Sequence, residues 1–229
     1  MSPGTLLPVA LVTFCAFPAS ATLIAGWSMT TAVPAGSVGT SFGYGAADQG
    51  ASALNSHLSS VHASDAAVYS SPVGNGSQYS LSSNNWTAGD YYEVSIDLTS
   101  GWSELWVSWD QTRSSTGPAS FELQRSIDGG AFTTFLPYAV QQAGASGSGT
   151  TTWNATTYQS QFTILPTMYF AWEAHDSIVL RFVATATASA TGTNRIDNIM
   201  VHGTSVPAPG ALVLLSVAGL ARPSARRRR

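Results

Sequence analysis

Tryptophans and carboxylates alternate along one short stretch of the chain, Trp102-Ser-Glu104-Leu-Trp106-Val-Ser-Trp-Asp110. A strand period of two puts Trp102, Glu104, Trp106, Ser108 and Asp110 on one face and Leu105, Val107 and Trp109 on the other. Indole rings among acids and amides suit a saccharide, because the C–H face of a sugar ring packs on the aromatic while its hydroxyls bond to the polar groups. If strands adjacent in sequence also pair in space, Glu93, Asp97, Glu122 and Gln124 share that face. The expected carbohydrate-binding set is therefore Trp102, Glu104, Trp106, Asp110 and Gln124. A competing arrangement has a loop or the 22–90 segment covering Trp102 and Trp106 as a second small core.

Other chemistry finds less support. Glu93, Glu104 and Glu122 supply carboxylates for a glycoside hydrolase, which needs two at a defined separation, but nothing local marks one as the acid. The histidines at 57, 62, 175 and 202 are scattered, and His57 and His62 lack the spacing of two zinc ligands on one helix face. No Ser-His-Asp order, phosphate-cradling loop or dinucleotide fingerprint stands out. Asn-x-Ser/Thr triplets begin at Asn75, Asn85 and Asn154, which a chain rich in these residues supplies by composition. The reading is non-enzymatic.

The elements that must position these residues are strands. In YYEVSIDL (91–98), Tyr92, Val94, Ile96 and Leu98 face one way and Glu93, Ser95 and Asp97 the other. FELQRSI-DGG-AFTTF (121–135) predicts a hairpin, with Asp128-Gly129-Gly130 tolerating positive φ at the turn. SIVLRFVATA (177–186), apolar on both faces apart from Arg181, predicts a central strand, and RIDNIMVHG (195–203) the last one. Strands at hairpin spacing without intervening helices predict an all-β fold, an antiparallel β-sandwich. The 22–90 region is weaker, with a candidate short helix around Gly50 to Ser60. Loop-like stretches such as GASGSGTTT (144–152) lie between strands, so residues 22–205 form one domain.

Three stretches carry a resemblance: Ser82-Ser83-Asn84-Asn85-Trp86, FELQRSIDGGAFTTF, and Gly192-Thr193-Asn194-Arg195-Ile196-Asp197-Asn198-Ile199. They resemble secreted jelly-roll, galactose-binding-like and carbohydrate-binding sandwiches, whose final strand often carries an Asp. That resemblance implies Asp197 as a ligand of a structural calcium, with carbonyl oxygens from an early strand, and no other cofactor is required. The alternative is an Asp197 paired with Arg195 or Arg181, or bonded within a turn.

Charge and the chain ends point to a destination. There is no lysine, and five of nine arginines sit in the tail, so the body keeps 4 Arg against 12 acids, a net 4 − 12 = −8. That body should repel nucleic acid. The only cysteine, Cys15, excludes a disulfide framework and a cysteine nucleophile. Residues 1–21 read as a signal peptide: an apolar run at 6–16, a break at Pro18, and the small-x-small pattern Ala19-Ser20-Ala21, with cleavage after Ala21 by signal peptidase. Residues 211–221 form a short hydrophobic helix, roughly 16 Å long, below the ~20 residues a span requires. Its membrane contact is transient, with the arginines kept on the cytoplasmic side. Val206-Pro207-Ala208-Pro209, the apolar run and Arg226, Arg227, Arg228 and Arg229 resemble the PEP-CTERM sorting tail. That resemblance, over residues 206–229, implies processing by an exosortase and residence at the cell surface or in an exopolysaccharide matrix. A saccharide-binding or adhesion module and a purely structural surface protein are the two readings that follow, with a hydrolase third.

Overall fold

The computed structural model describes residues 21–99, 101–144, 152–165 and 177–205. The expected signal peptide up to Ser20, the tail from Val206 and the two flanking helices lie outside the described residues. Among the described residues no helix is long and apolar enough to cross a membrane.

Among the described residues thirteen strands build the sandwich: β1 (Ala21–Trp27), β2 (Ser41–Ala46), β3 (His57–Val61), β4 (Tyr69–Ser70), β5 (Leu81–Ser83), β6 (Tyr91–Asp97), β7 (Trp102–Arg113), β8 (Ser120–Ile127), β9 (Thr133–Ala139), β10 (Gln141–Gln142), β11 (Thr163–Ile164), β12 (Ser177–Ala184) and β13 (Asn194–Ser205). One sheet runs β10-β7-β13-β5-β4, with β1 also on β13 and β11 also on β7. The other runs β2-β3-β6-β12-β8-β9. The all-β sandwich expected from alternation is present, and β12 is an interior strand flanked by β6 and β8.

The chain changes sheets repeatedly, and this overturns pairing in sequence order. β7 does not lie between β6 and β8; it crosses to the seven-stranded sheet and pairs along its length with β13. The candidate helix near Gly50 to Ser60 is a single 3₁₀ turn, Ala53–Asn55, and β3 begins two residues later. Small residues there carry no apolar stripe for a longer helix to bury.

Alternation sets the core. Tyr92, Val94 and Ile96 of β6, Leu105, Val107 and Trp109 of β7, and Leu180 and Phe182 of β12 all point between the sheets and are buried. Trp86 packs edge-on against Tyr92 at 5.0 Å and Phe121 at 5.7 Å, and Trp109 against Phe182 at 4.8 Å. Tyr92 donates its O–H to the Asn194 carbonyl at 2.8 Å, so the buried hydroxyl is satisfied. The β8–β9 hairpin turns at Asp128 (φ 46°) and Gly129 (φ 74°), the two positive-φ residues that a tight hairpin of the twisted type requires.

Candidate functional site

The outer face of the six-stranded sheet carries an ordered polar array. Register places Ser59, Glu93, Arg181, Gln124 and Thr134 side by side across β3, β6, β12, β8 and β9. At strand spacing of about 4.8 Å this row spans roughly 19 Å. The next row holds Val61, Tyr91, Val183, Glu122 and Pro137. Arg181 donates Nε to Glu93 Oε2 at 2.7 Å. Its guanidinium lies 4.2 Å from the Tyr91 ring centroid and 3.8 Å from that of Phe132, so two aromatics and a carboxylate fix it. Gln124 Nε2 donates to Glu122 Oε1 at 2.5 Å. All six side chains are half-buried, with one side turned to solvent.

The expected binding set is thus split between two sheets. Glu93, Asp97, Glu122 and Gln124 do share a face, but without the tryptophans. Gln124 stands on the opposite sheet from Trp102, Glu104, Trp106 and Asp110. Trp102 is 4% exposed and belongs to the hydrophobic core cluster, which removes it as an open platform. Trp106 is half-buried and stacks on its register partner His202, centroids 5.5 Å apart and planes 7° apart. Glu104 is exposed, and Thr204 donates to it at 3.4 Å.

Asp110 and Asp197, register partners on β7 and β13, sit under a roof made by the loop 72–80 and the segment 152–165. Trp153 and Phe162 of that roof are each 2% exposed and meet edge to face at 5.8 Å. Two asparagines bridge the carboxylates. Asn75 donates its backbone N–H to Asp197 at 2.7 Å and its amide to Asp110 at 2.9 Å. Asn198 does the same, at 2.8 and 2.7 Å. Ser77 Oγ donates to Asp197 at 2.6 Å, and Thr163 Oγ1 to Asp110 at 2.5 Å. Asn75 also exchanges hydrogen bonds with the Gln159 backbone at 2.9 and 3.0 Å, which ties the roof to the sheet. Gly74 is required here, because a Cβ would stand 2.3 Å from Asp197 Oδ2 and 1.9 Å from Ser77 Oγ.

Burial pushes the Asp197 carboxyl up to about 7, against the pull of its donors, and raises Asp110 in the same direction. At Asp197, where calcium is expected, each carboxylate oxygen accepts from a backbone N–H, of Asn75 and of Asn198. Among the described residues no group of three His, Cys, Asp or Glu side chains gathers around a metal position. The ion pairs considered for Asp197 are absent as well: Arg181 serves Glu93, and Arg195 donates to the Val73 carbonyl at 3.2 Å.

Sequence order also hid a Ser-His-Asp chain. His62 Nε2 lies 3.0 Å from Ser83 Oγ, and His62 Nδ1 lies 3.1 Å from Asp90 Oδ2. The three residues are no more than 3% exposed, and Trp86 packs on the imidazole at 4.4 Å, so no substrate reaches the hydroxyl. Burial lowers the His62 pKa although Asp90 opposes it, which keeps the ring neutral at pH 7. The group ties the end of β3 to β5 and β6. Its members stand in the order His, Ser, Asp with unremarkable neighbours, so only contact reveals it.

No family model and no curated protein matches this chain. Among solved structures it is similar to the CBM22-1–GH10 modules of the Clostridium thermocellum endo-1,4-β-D-xylanase 10B, complexed with xylohexaose, at 13% identity and a TM-score of 0.41. That match covers 78% of this chain and 28% of the other, so this chain spans less than a third of that protein's length. It is similar to the K2 cleaved adhesin domain of Lys-gingipain at 12% identity and a TM-score of 0.38, covering 70% and 97% of the two chains. A third is TmCBM61 in complex with β-1,4-galactotriose, at 14% identity and a TM-score of 0.36, covering 64% and 86%.

Proposed function

We propose that the body is a non-catalytic saccharide-binding module of an exported protein, and that the outer face of the six-stranded sheet is its contact surface. The observation that carries this reading is the row Ser59, Glu93, Arg181, Gln124 and Thr134 flanked by Tyr91 and Phe132. It is a continuous run of donors and acceptors with Tyr91 and Phe132 beside its guanidinium, and it faces away from the core. A chain of ring hydroxyls meets such a row with matched hydrogen bonds, and the fixed guanidinium loses little side-chain entropy on binding.

Catalysis is not part of the reading. Glu93 and Glu122 stand two strands apart, about 10 Å across the sheet. Glu93 is spent on Arg181, and the open face excludes no water. Calcium is not part of it either, since the asparagine bridges satisfy Asp110 and Asp197. The leader ending at Ala21 and the tail from Val206 hand the chain to signal peptidase and then to an exosortase, which leaves it at the cell surface or in the polysaccharide matrix.

Affinity electrophoresis of the protein through gels containing the producing cell's exopolysaccharide tests the reading. Retardation that persists in chelator and is lost in Gln124→Ala is expected. Migration unchanged by any polysaccharide would overturn it. The burial of Trp102 favours a second reading, a purely structural surface protein, and that result would select it.

A further inference from the structure

Three Asn-x-Ser/Thr triplets satisfy the minimal pattern for attachment of a saccharide to asparagine, and folding separates them sharply. Asn75 is 1% exposed, and its amide nitrogen is committed to Asp110 and to the Gln159 carbonyl. Asn85 sits at φ 54° with its amide donating to the Ala66 carbonyl at 2.7 Å and to Asn84 Oδ1 at 3.1 Å. Asn154 is different. Its Oδ1 accepts from the Thr156 N–H and hydroxyl, each at 3.1 Å, and from the Thr157 N–H at 2.8 Å. Its Nδ2 has no partner among the described residues.

The surroundings of Asn154 present that nitrogen. Ala155, Thr156, Thr157 and Tyr158 are exposed, while Trp153 on the other side is buried and the Asn154 carbonyl accepts from Gly76 N–H at 2.9 Å. The turn is therefore anchored at its base and open at its tip. Three donors on Oδ1 draw electron density toward the oxygen and make the Nδ2 protons easier to remove. The hydroxyl that the triplet demands is the one already paired with the asparagine.

We propose that Asn154 is the one N-glycosylation site of the exported protein, accepting a saccharide from a polyprenyl-diphosphate-linked donor through a membrane transferase. Nδ2 attacks the anomeric carbon, and a C–N bond forms as the C–O bond to the diphosphate breaks. The polyprenyl diphosphate leaves with the electron pair, and one Nδ2 proton passes to a carboxylate of the transferase. Export brings the turn to the donor, so the proposal goes beyond saccharide binding and does not depend on it.

Peptide mass spectrometry of the full protein isolated from its producing cells tests this. The expected result is a saccharide mass on the peptide containing Asn154 and none on those containing Asn75 or Asn85. Thr156→Val should abolish it, and Thr157→Val should leave it. A bare Asn154 overturns the proposal, and an amino terminus at Thr22 on that chain would show that export was not at fault. Saccharide on Asn75 or Asn85 equally overturns it, since the geometry forbids both.

Discussion

The outer faces of the two sheets are built from similar residues and end in opposite conditions. On the seven-stranded sheet Asp110, Asp197 and Thr112 are no more than 1% exposed, sealed in part by the roof that Asn75 anchors. On the six-stranded sheet Glu93, Glu122, Gln124 and Arg181 keep a side to solvent, and the bonds among them leave acceptors and donors over. The closed face is structure: Asp110, Asp197 and Thr112 are answered by protein groups in a low-dielectric setting where an unmet bond is costly. The open face is the one that a ligand can use. A carboxylate beside an amide means opposite things in the two places, and burial decides which.

Breaking the closed face should cost the most. Trp102→Ala removes a core side chain and should lower stability by about 3–5 kcal/mol in urea unfolding, whereas Trp106→Ala should cost clearly less and leave the fold intact. If the two tryptophans behave alike, the distinction between them fails. Asn75→Ala strips an amide from Asp110 and the Gln159 backbone. With about 1–3 kcal/mol for each buried group left unmet, a loss of roughly 2–4 kcal/mol is expected. Proteolysis should then cut first within the segment 152–165.

The pH dependence sharpens the same comparison by a smaller amount. Folding raises the Asp197 pKa from 3.8 to about 7, so the folded state holds a proton that the unfolded chain has released between these values. The contribution to stability is full below about pH 4 and is lost as pH rises through about 7. His62 and His202, lowered from 6.5 by burial, act the other way: their contribution is present above about 6.5 and is lost as pH falls below it. The difference between the wild-type protein and Asp197→Asn isolates the carboxylate. The advantage of the wild type should be larger at pH 5 than at pH 8 by urea midpoint. An advantage that grows toward pH 8 would refute the assignment. On the open face, Tyr91→Ala and Glu122→Ala should shift stability by no more than about 1 kcal/mol, because their partners remain reachable by water.

Much of the sandwich could be read from the chain, and the gaps have physical causes. β6 and β7 alternate, and the apolar face assigned to each is the buried one, while the β8–β9 hairpin, β12 and β13 are strands where the pattern expects them. Alternation fixes which way a side chain points but not which strand lies beside it. Glu93 and Gln124 were therefore placed beside Trp106, although β7 crosses to the other sheet. β1 to β5 were faint because small residues make strands by pairing more than by pattern. The buried node was legible only residue by residue: Asp110, Asp197 and Asn75 each drew a separate reading, but Asn75 and Asp197 are 122 positions apart and only contact joins them. Trp102 is buried, but in the main core and not in the second small core that the competing arrangement expects, and Trp106 is half-buried.

The central claim is that the open face, and not the tryptophan face, meets saccharide. Isothermal titration of the exopolysaccharide's oligosaccharides into the wild type, Gln124→Ala and Trp106→Ala tests it most directly. The account predicts saturable binding that Gln124→Ala weakens at least tenfold, about 1.4 kcal/mol, and that Trp106→Ala leaves unchanged. Binding lost in Trp106→Ala and kept in Gln124→Ala would contradict it and move the site to the other sheet.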